Sequence, residues 1–408
     1  MKNFTYKIFL FLILTFAISS CTEQYVFQNT DFESALVVEG TITNELKNQT
    51  IRLSQVYQLE ESGPRLEKGA NVFVSDDQGN EYQFAEKDTI YESMTPFKAE
   101  PGRKYQLRIR TSAGKNYISD EQVLTTETKI DKLTATVANV NGQKGVQINV
   151  NGYDPSNSSK YYRYEYVETY KIEAPLWSPF ETSIVNVPAV PANPELGTPA
   201  EPAREDILVS LRKKETKTCF SSKKSNEIIL NNTNTLSEDR VNFPVRFISN
   251  QNYIISYRYS IFVKQYIQNL AAHTYYKTLK DLSSSGGILS PKQPGFFYGN
   301  IRSVENPSEK VIGFFEVSAV SSERIFFNYA DLFPGEPLPP YYESDCDVRQ
   351  FEDCLGDPPC NGTQLRSAIL SRYLVHLSSS PPSYSMVKAA CGDCTSFSSN
   401  IVPPFWVD

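Results

Sequence analysis

Catalytic signatures are what this sequence most lacks. It contains no G-x-S-x-G, no H-E-x-x-H, no P-loop and no dinucleotide-binding fingerprint. Histidine occurs twice, as His273 and His376, and neither has a nucleophile beside it in sequence. Methionine is scarce, at three residues. Beyond residue 20 no apolar run approaches the roughly twenty residues of a membrane-spanning helix. An excess of base is missing too, with 40 Lys and Arg against 47 Asp and Glu and a net charge of -7. Such a surface argues against nucleic acid and against docking of a basic patch on anionic lipid. The expectation is a protein that is not an enzyme and uses no cofactor or metal, although a carboxylate pair could still serve a glycosidase.

What is present begins at the N-terminus. MKNFTYK carries Lys2 and Lys7 without an acid, and an apolar run follows from Ile8 to Ile18. About eleven residues suit the core of a signal peptide and fall short of a span. Ser19 and Ser20 then precede Cys21, small residues before a cysteine as in the bacterial lipobox. Residues 1–20 therefore read as a signal peptide, Cys21 as a lipid anchor and 21–34 as a polar tether. Anchoring by acyl chains gains roughly 0.8 kcal/mol per buried methylene.

After the tether, alternation of period two dominates. In KYQLRIR, Tyr105, Leu107 and Ile109 share one face and Gln106, Arg108 and Arg110 the other, the mark of a half-buried antiparallel strand. Turns at Gly79 and Ala113-Gly114 separate strands about ten residues apart. The expected fold is mainly β, with an immunoglobulin-like β-sandwich over 35–126. A larger antiparallel β domain over 127–408 is expected to follow, with one or two short helices. The clearest helix is NLAAHTYYKTLKDL, capped by Asn269, with Leu270, Tyr275, Leu279 and Leu282 at helical spacing. A second is expected within GTQLRSAILSRYLVHL. Five prolines between 187 and 202 make that stretch an extended surface loop. In KYYRYEYVETYKI, Tyr162, Tyr164, Tyr166 and Tyr170 fall on one side of a strand. Such a row serves either as a platform for sugar rings or as cross-strand packing.

Six further cysteines are Cys219, Cys346, Cys354, Cys360, Cys391 and Cys394, five of them in the tail 341–408. CGDC has the thioredoxin-type form, but no helix pattern follows it. No second C-x-x-C stands at zinc-ribbon spacing. An even count in an exported chain favours disulfides, among fifteen possible pairings. The acidic stretch ESDCDVRQFEDCLGD could hold calcium, yet it lacks the ordered spacing of an EF-hand and reads as a solvated loop.

Several pieces in order resemble one family. They are ALVVEG, TYKI, TCF, YRYSIFVKQY, GNI at Gly299–Ile301, VIGFF at Val311–Phe315, CGDCT, and PPFW at Pro403–Trp406. Together they resemble the Bacteroidota lipoprotein family called domain of unknown function 4249. The resemblance implies an outer-membrane lipoprotein, on the cell surface or in the periplasmic leaflet. It also implies a partner, a TonB-dependent outer-membrane transporter that such lipoproteins serve as non-catalytic ligand-capture subunits in nutrient uptake. A surface hydrolase of glycan or peptide, or a structural or adhesive surface protein, are the alternatives.

Overall fold

The computed structural model describes residues 35–57, 63–192, 195, 198–284, 297–354 and 359–408. The signal peptide, Cys21 and the tether lie outside the described residues.

The chain is mainly β, in several antiparallel sheets with four short α-helices among the described residues. The first layer opens with β1 (Leu36–Thr43), β2 (Thr50–Gln55), β3 (Arg65–Leu66), β4 (Asn71–Asp76) and β5 (Glu81–Lys87). It continues with β6 (Ile90–Ser93), β7 (Lys104–Arg110), β8 (Asn116–Ser119) and β9 (Gln122–Val123). Two strands from far downstream join them, β19 (Ile301–Ser303) and β20 (Val311–Ser318). The order runs β19-β8-β7-β4-β5-β6-β2-β1-β20, with β3 on β2 and β9 on β7. Every pairing is antiparallel except β1 with β20. Alternation does the work expected of it in β7, where Tyr105, Leu107 and Ile109 are buried. They share a core with Val38, Val72, Val74 and Phe315, and each aliphatic side chain so buried contributes roughly 1.5–3 kcal/mol.

This sheet curls until its ends meet at β19 and β20. Asn300 closes the seam with its side chain, donating from Nδ2 to the Phe315 carbonyl and accepting from the Phe315 amide, both at 2.8 Å. Close backbone approach here requires glycine. A Cβ on Gly313, whose φ is +148°, would lie 2.2 Å from the Val38 carbonyl oxygen. The GNI and VIGFF motifs are thus the two sides of one joint.

The second body holds two sheets around a common core. One consists of β10 (Lys132–Val140), β11 (Gln143–Asp154) and β17 (Asp239–Ser249). The other runs β15 (Thr218–Lys224), β12 (Tyr161–Glu173), β18 (Arg258–Gln268) and β21 (Val320–Asn328), with β16 (Ile229–Asn232) also on β12. Helix α1 (Leu270–Ser284) follows β18, and Asn269 caps it by accepting from the Ala272 amide at 2.8 Å. Its buried stripe is Ala272 and Tyr275, with Tyr276 and Leu279 packed beside them; Leu270, expected on that stripe, is exposed. The short α2 (Tyr329–Leu332) ends this body.

A third, smaller core lies between the hairpin of β13 (Phe180–Val187) and β14 (Arg204–Leu211) and a sheet ordered β22 (Arg349–Glu352), β24 (Ser383–Lys388), β23 (Leu374–Ser380). Helix α3 (Gly362–Ser371) contributes Leu365 and Ile369, which meet Tyr384, Met386, Ile184 and Ile207. The second expected helix therefore stops at Ser371, where Arg372 takes a left-handed conformation, and LVHL begins β23. The proline-rich segment is the connection of the β13–β14 hairpin, exposed at 188–192 and 198–203.

Three disulfides tie the tail: Cys219–Cys394, Cys346–Cys391 and Cys354–Cys360, with Cα separations of 5.9, 5.7 and 5.8 Å. The two cysteines of CGDC bond to distant partners and not to each other, which removes the redox-centre reading. The acidic stretch is paired with bases: Lys388 reaches Asp345 at 2.6 Å, and Arg366 reaches Asp353 at 2.6 Å. Alkylating the unreduced chain from residue 22 onward is expected to label none of the six thiols by intact mass. Labelling after reduction should then add six equivalents; two or more labels beforehand would refute these pairings.

Candidate functional site

The first two bodies join around Arg163. In β12 the even-numbered residues Tyr162 and Tyr164 turn into the second core, so Arg163 between them faces the other way, toward the first sheet. Its register partner across the ladder is Tyr266 on β18. The guanidinium lies 4.1 Å from the Tyr266 ring centroid and 4.8 Å from that of Tyr276 on α1. Such contacts with aromatic faces are worth about 0.5–2 kcal/mol, most when desolvated. Nη2 donates to Glu316 Oε1 at 2.6 Å, and Nη1 contacts Glu165. Glu316 comes from β20 and is 2% exposed. Gln268 Nε2 donates to its other oxygen at 2.9 Å, and Thr41, its register partner on β1, donates at 3.0 Å.

The electrostatics follow from burial and charge together. Burial alone would lower the Arg163 pKa, but Glu316 and then the neighbouring phenols and Glu165 hold it above the ordinary guanidinium value. The Tyr266 and Tyr276 hydroxyls are pushed well above the usual phenol range by burial, then by Glu165 and Glu316 respectively. Tyr275 rises to about 12 from burial and the charge of Glu39. Arg163 and Glu316 form one buried ion pair, and Glu316 already accepts three hydrogen bonds. That carboxylate is taken up by structural contacts.

A cleft of about 720 Å³ opens over Arg163. Its walls come from β1, β20, α1 and the connection between β15 and β16. Tyr266, Tyr275, Tyr276 and Phe314 supply aromatic surface, and Glu39, Lys47, Lys224 and Glu227 supply charge of both signs. Clefts of this size, with aromatic walls and a few polar groups, accommodate small molecules or short chains.

The tyrosine row expected from sequence is not a ligand face. Tyr162 and Tyr164 are completely buried, and their rings stack with centroids 6.4 Å apart. The Tyr162 hydroxyl sits 2.8 Å from Asp239 Oδ1. Tyr170 is buried beside Tyr253, and the half-buried Tyr166 lies under Arg246. The opposing sheet of β10, β11 and β17 covers these rings, so cross-strand packing is their role. Both nitrogens of the buried His376 face serine hydroxyls, Ser178 at 3.4 Å and Ser379 at 3.0 Å. Burial, then Arg212, lowers its pKa. His273 packs against Tyr161 at 5.0 Å, and burial, then Lys277, lowers its pKa. Among the described residues no cluster of His, Cys, Asp or Glu is placed to hold a metal ion.

Arg163 and Glu316 escaped sequence reasoning. An arginine alternating with tyrosines reads as the solvated side of a strand. Glu316 did carry a signal, as the one acid within the otherwise apolar VIGFFEVSAV.

The model of a family described as a domain of unknown function (DUF4249) matches residues 22–324. The chain belongs to that family. The DUF4249 match includes the curled sheet with its late-joining strands, Arg163, Glu316 and the whole cleft. It ends within β21, before the disulfide-tied tail. No curated protein matches the chain. Among solved structures, trypsin-activated alpha-2-macroglobulin from Escherichia coli is similar at 11% identity with a TM-score of 0.16. That alignment covers 59% of this chain and 15% of the macroglobulin, so the chain spans a small part of that protein's length.

Proposed function

We propose that this protein is a lipid-anchored, non-catalytic subunit that captures ligand for a TonB-dependent transporter of the outer membrane. The observation that carries the reading is the cleft over Arg163, an aromatic, mixed-charge groove built wholly within the DUF4249 segment. Arg163, which lines it, is committed to an ion pair with the buried Glu316. Three disulfides support an exported, oxidising location. Cys21 in its lipobox-like setting supports the anchor. Fourteen residues, 22–35, separate that cysteine from the first described strand. At about 3.3 Å per residue they allow the body to stand as much as roughly 45 Å from the bilayer. This reach would let the cleft sit over the mouth of a neighbouring barrel.

Two measurements test it. Replacing Cys21 with serine is expected to move the protein from the membrane fraction to the soluble fraction; retention in the membrane would rule out the lipid anchor. A mild-detergent pull-down of the tagged protein from native outer membrane should recover a transporter barrel in stoichiometric amount. Recovery of the lipoprotein alone in several detergents would overturn the accessory role, and glycan and peptide hydrolysis would become the next assays.

A further inference from the structure

A second cavity, of about 650 Å³, shares no lining residue with the cleft and lies between β13, the segment after β14, and the residues around CGDC. Four cations line it, Arg212, Lys213, Lys214 and Arg372, against two acids, Glu181 and Asp393. Arg212 is the built part. Its side chain is only 6% exposed, yet Asp393 is its sole ionic partner among the described residues. Nε donates to the Ser178 carbonyl at 3.0 Å and Nη1 to Asp393 Oδ2 at 3.0 Å. Nη2 has no partner among the described residues. A guanidinium offers five donors in a rigid fork, and a buried charged donor without an acceptor is costly.

Asp393 is held with unusual firmness. The residues either side of Gly392-Asp393 are both disulfide-bonded, Cys391 to Cys346 and Cys394 to Cys219. Gly392 has no room for a side chain, since a Cβ there would lie 2.6 Å from Val375 Cγ2. Asp393 Oδ1 also accepts from the Thr395 amide at 2.9 Å. CGDC is therefore a clamp that fixes a carboxylate, and that carboxylate aims Arg212. At the rim, Lys213, Lys214 and Arg372 are exposed and form no ion pair among the described residues.

We propose that this cavity binds a small organic molecule bearing an oxyanion, a carboxylate or a phosphate or sulfate ester. Arg212 would recognise the anion, with the exposed lysines adding attraction. A planar guanidinium matches oxyanion geometry, and the volume exceeds what a bare ion needs. The inference is independent of the transporter reading.

The test uses the chain from residue 22 onward, with thermal melting and calorimetric titration at constant ionic strength. The probes are digalacturonate, inorganic phosphate and inorganic sulfate, with sodium chloride as the matched control. At least one probe is expected to bind and raise the melting temperature above the chloride control. The paired rim change Lys213→Glu and Lys214→Glu should weaken that binding at least tenfold while leaving the ligand-free melting temperature unchanged. Arg212→Lys, which keeps the charge and loses the fork, should also weaken it. Binding of phosphate or sulfate with the same dependence on the rim supports the oxyanion site and points to an ester as its ligand. Failure of all three probes to exceed chloride, or undiminished binding by the rim variant, would overturn the proposal.

Discussion

Replacing Glu316 with leucine is expected to destabilise the folded chain by about 3–5 kcal/mol, because it strands the Arg163 guanidinium in the interior without its anion. The partner is unusually dependent on this one residue. Arg163 is 9% exposed, and its other acid, Glu165, is about half exposed and partly in water. The change also leaves Gln268 Nε2 and Thr41 Oγ1 without their acceptor. In urea, at a slope of about 3 kcal/mol per molar, the unfolding midpoint should fall by roughly 1–1.7 M. The double change Arg163→Met with Glu316→Leu should recover most of the loss, since an apolar pair of similar volume removes both desolvated charges together. A single variant whose midpoint stays within about 0.2 M of the parent would show that this pair does not hold the two bodies together.

The second large effect concerns the tail. Breaking Cys219–Cys394 by serine substitution at both positions should cost about 5 kcal/mol in the chain-entropy description. The magnitude follows from a sequence separation of 175 residues. The same relation gives about 4 kcal/mol for Cys346–Cys391, separated by 45 residues, and about 2 kcal/mol for Cys354–Cys360, separated by 6. Packing adds to the first of these. Next to Cys219, Phe220 meets Trp406 edge-on at 4.9 Å, and Trp406 also rests on Phe326 at 5.7 Å. Losing the long bridge loosens that contact as well. The order of the three losses is the check, by urea unfolding of each serine pair. A short-loop variant that loses as much as the long-loop one would contradict it.

How far the sequence foretold this molecule depends on how local each feature is. Strands such as β7, β12 and β18 were legible because alternation and β-branched or aromatic content are written into consecutive residues. The cap of α1 was legible for the same reason. Its buried stripe was not, because α1 packs through Tyr275 and Tyr276 onto Phe314 of a distant strand. Alternation in β12 placed Tyr162 and Tyr164 on one face, but could not say that a second sheet covers that face while the first body covers the other. An even cysteine count pointed to disulfides, and pairing needed the fold. The joining of β19 and β20 to the first sheet left only indirect marks: Gly313 closely approaches Val38, 275 positions away, while Gly299 and Asn300 pack against Gly313 and Phe315 of the neighbouring strand.

That late joining sets a timetable for synthesis. Thr41 and Glu316, register partners on β1 and β20, lie 275 residues apart. At roughly 5–20 residues per second, the ribosome needs about 15–55 s between the two. Throughout that interval one edge of β1 has no neighbour, and an open strand edge is a template for pairing with other chains. The nascent protein thus passes through a long vulnerable stage, in which a holding chaperone would have its greatest value. Chains truncated anywhere before Ser318 should aggregate, however complete their first nine strands.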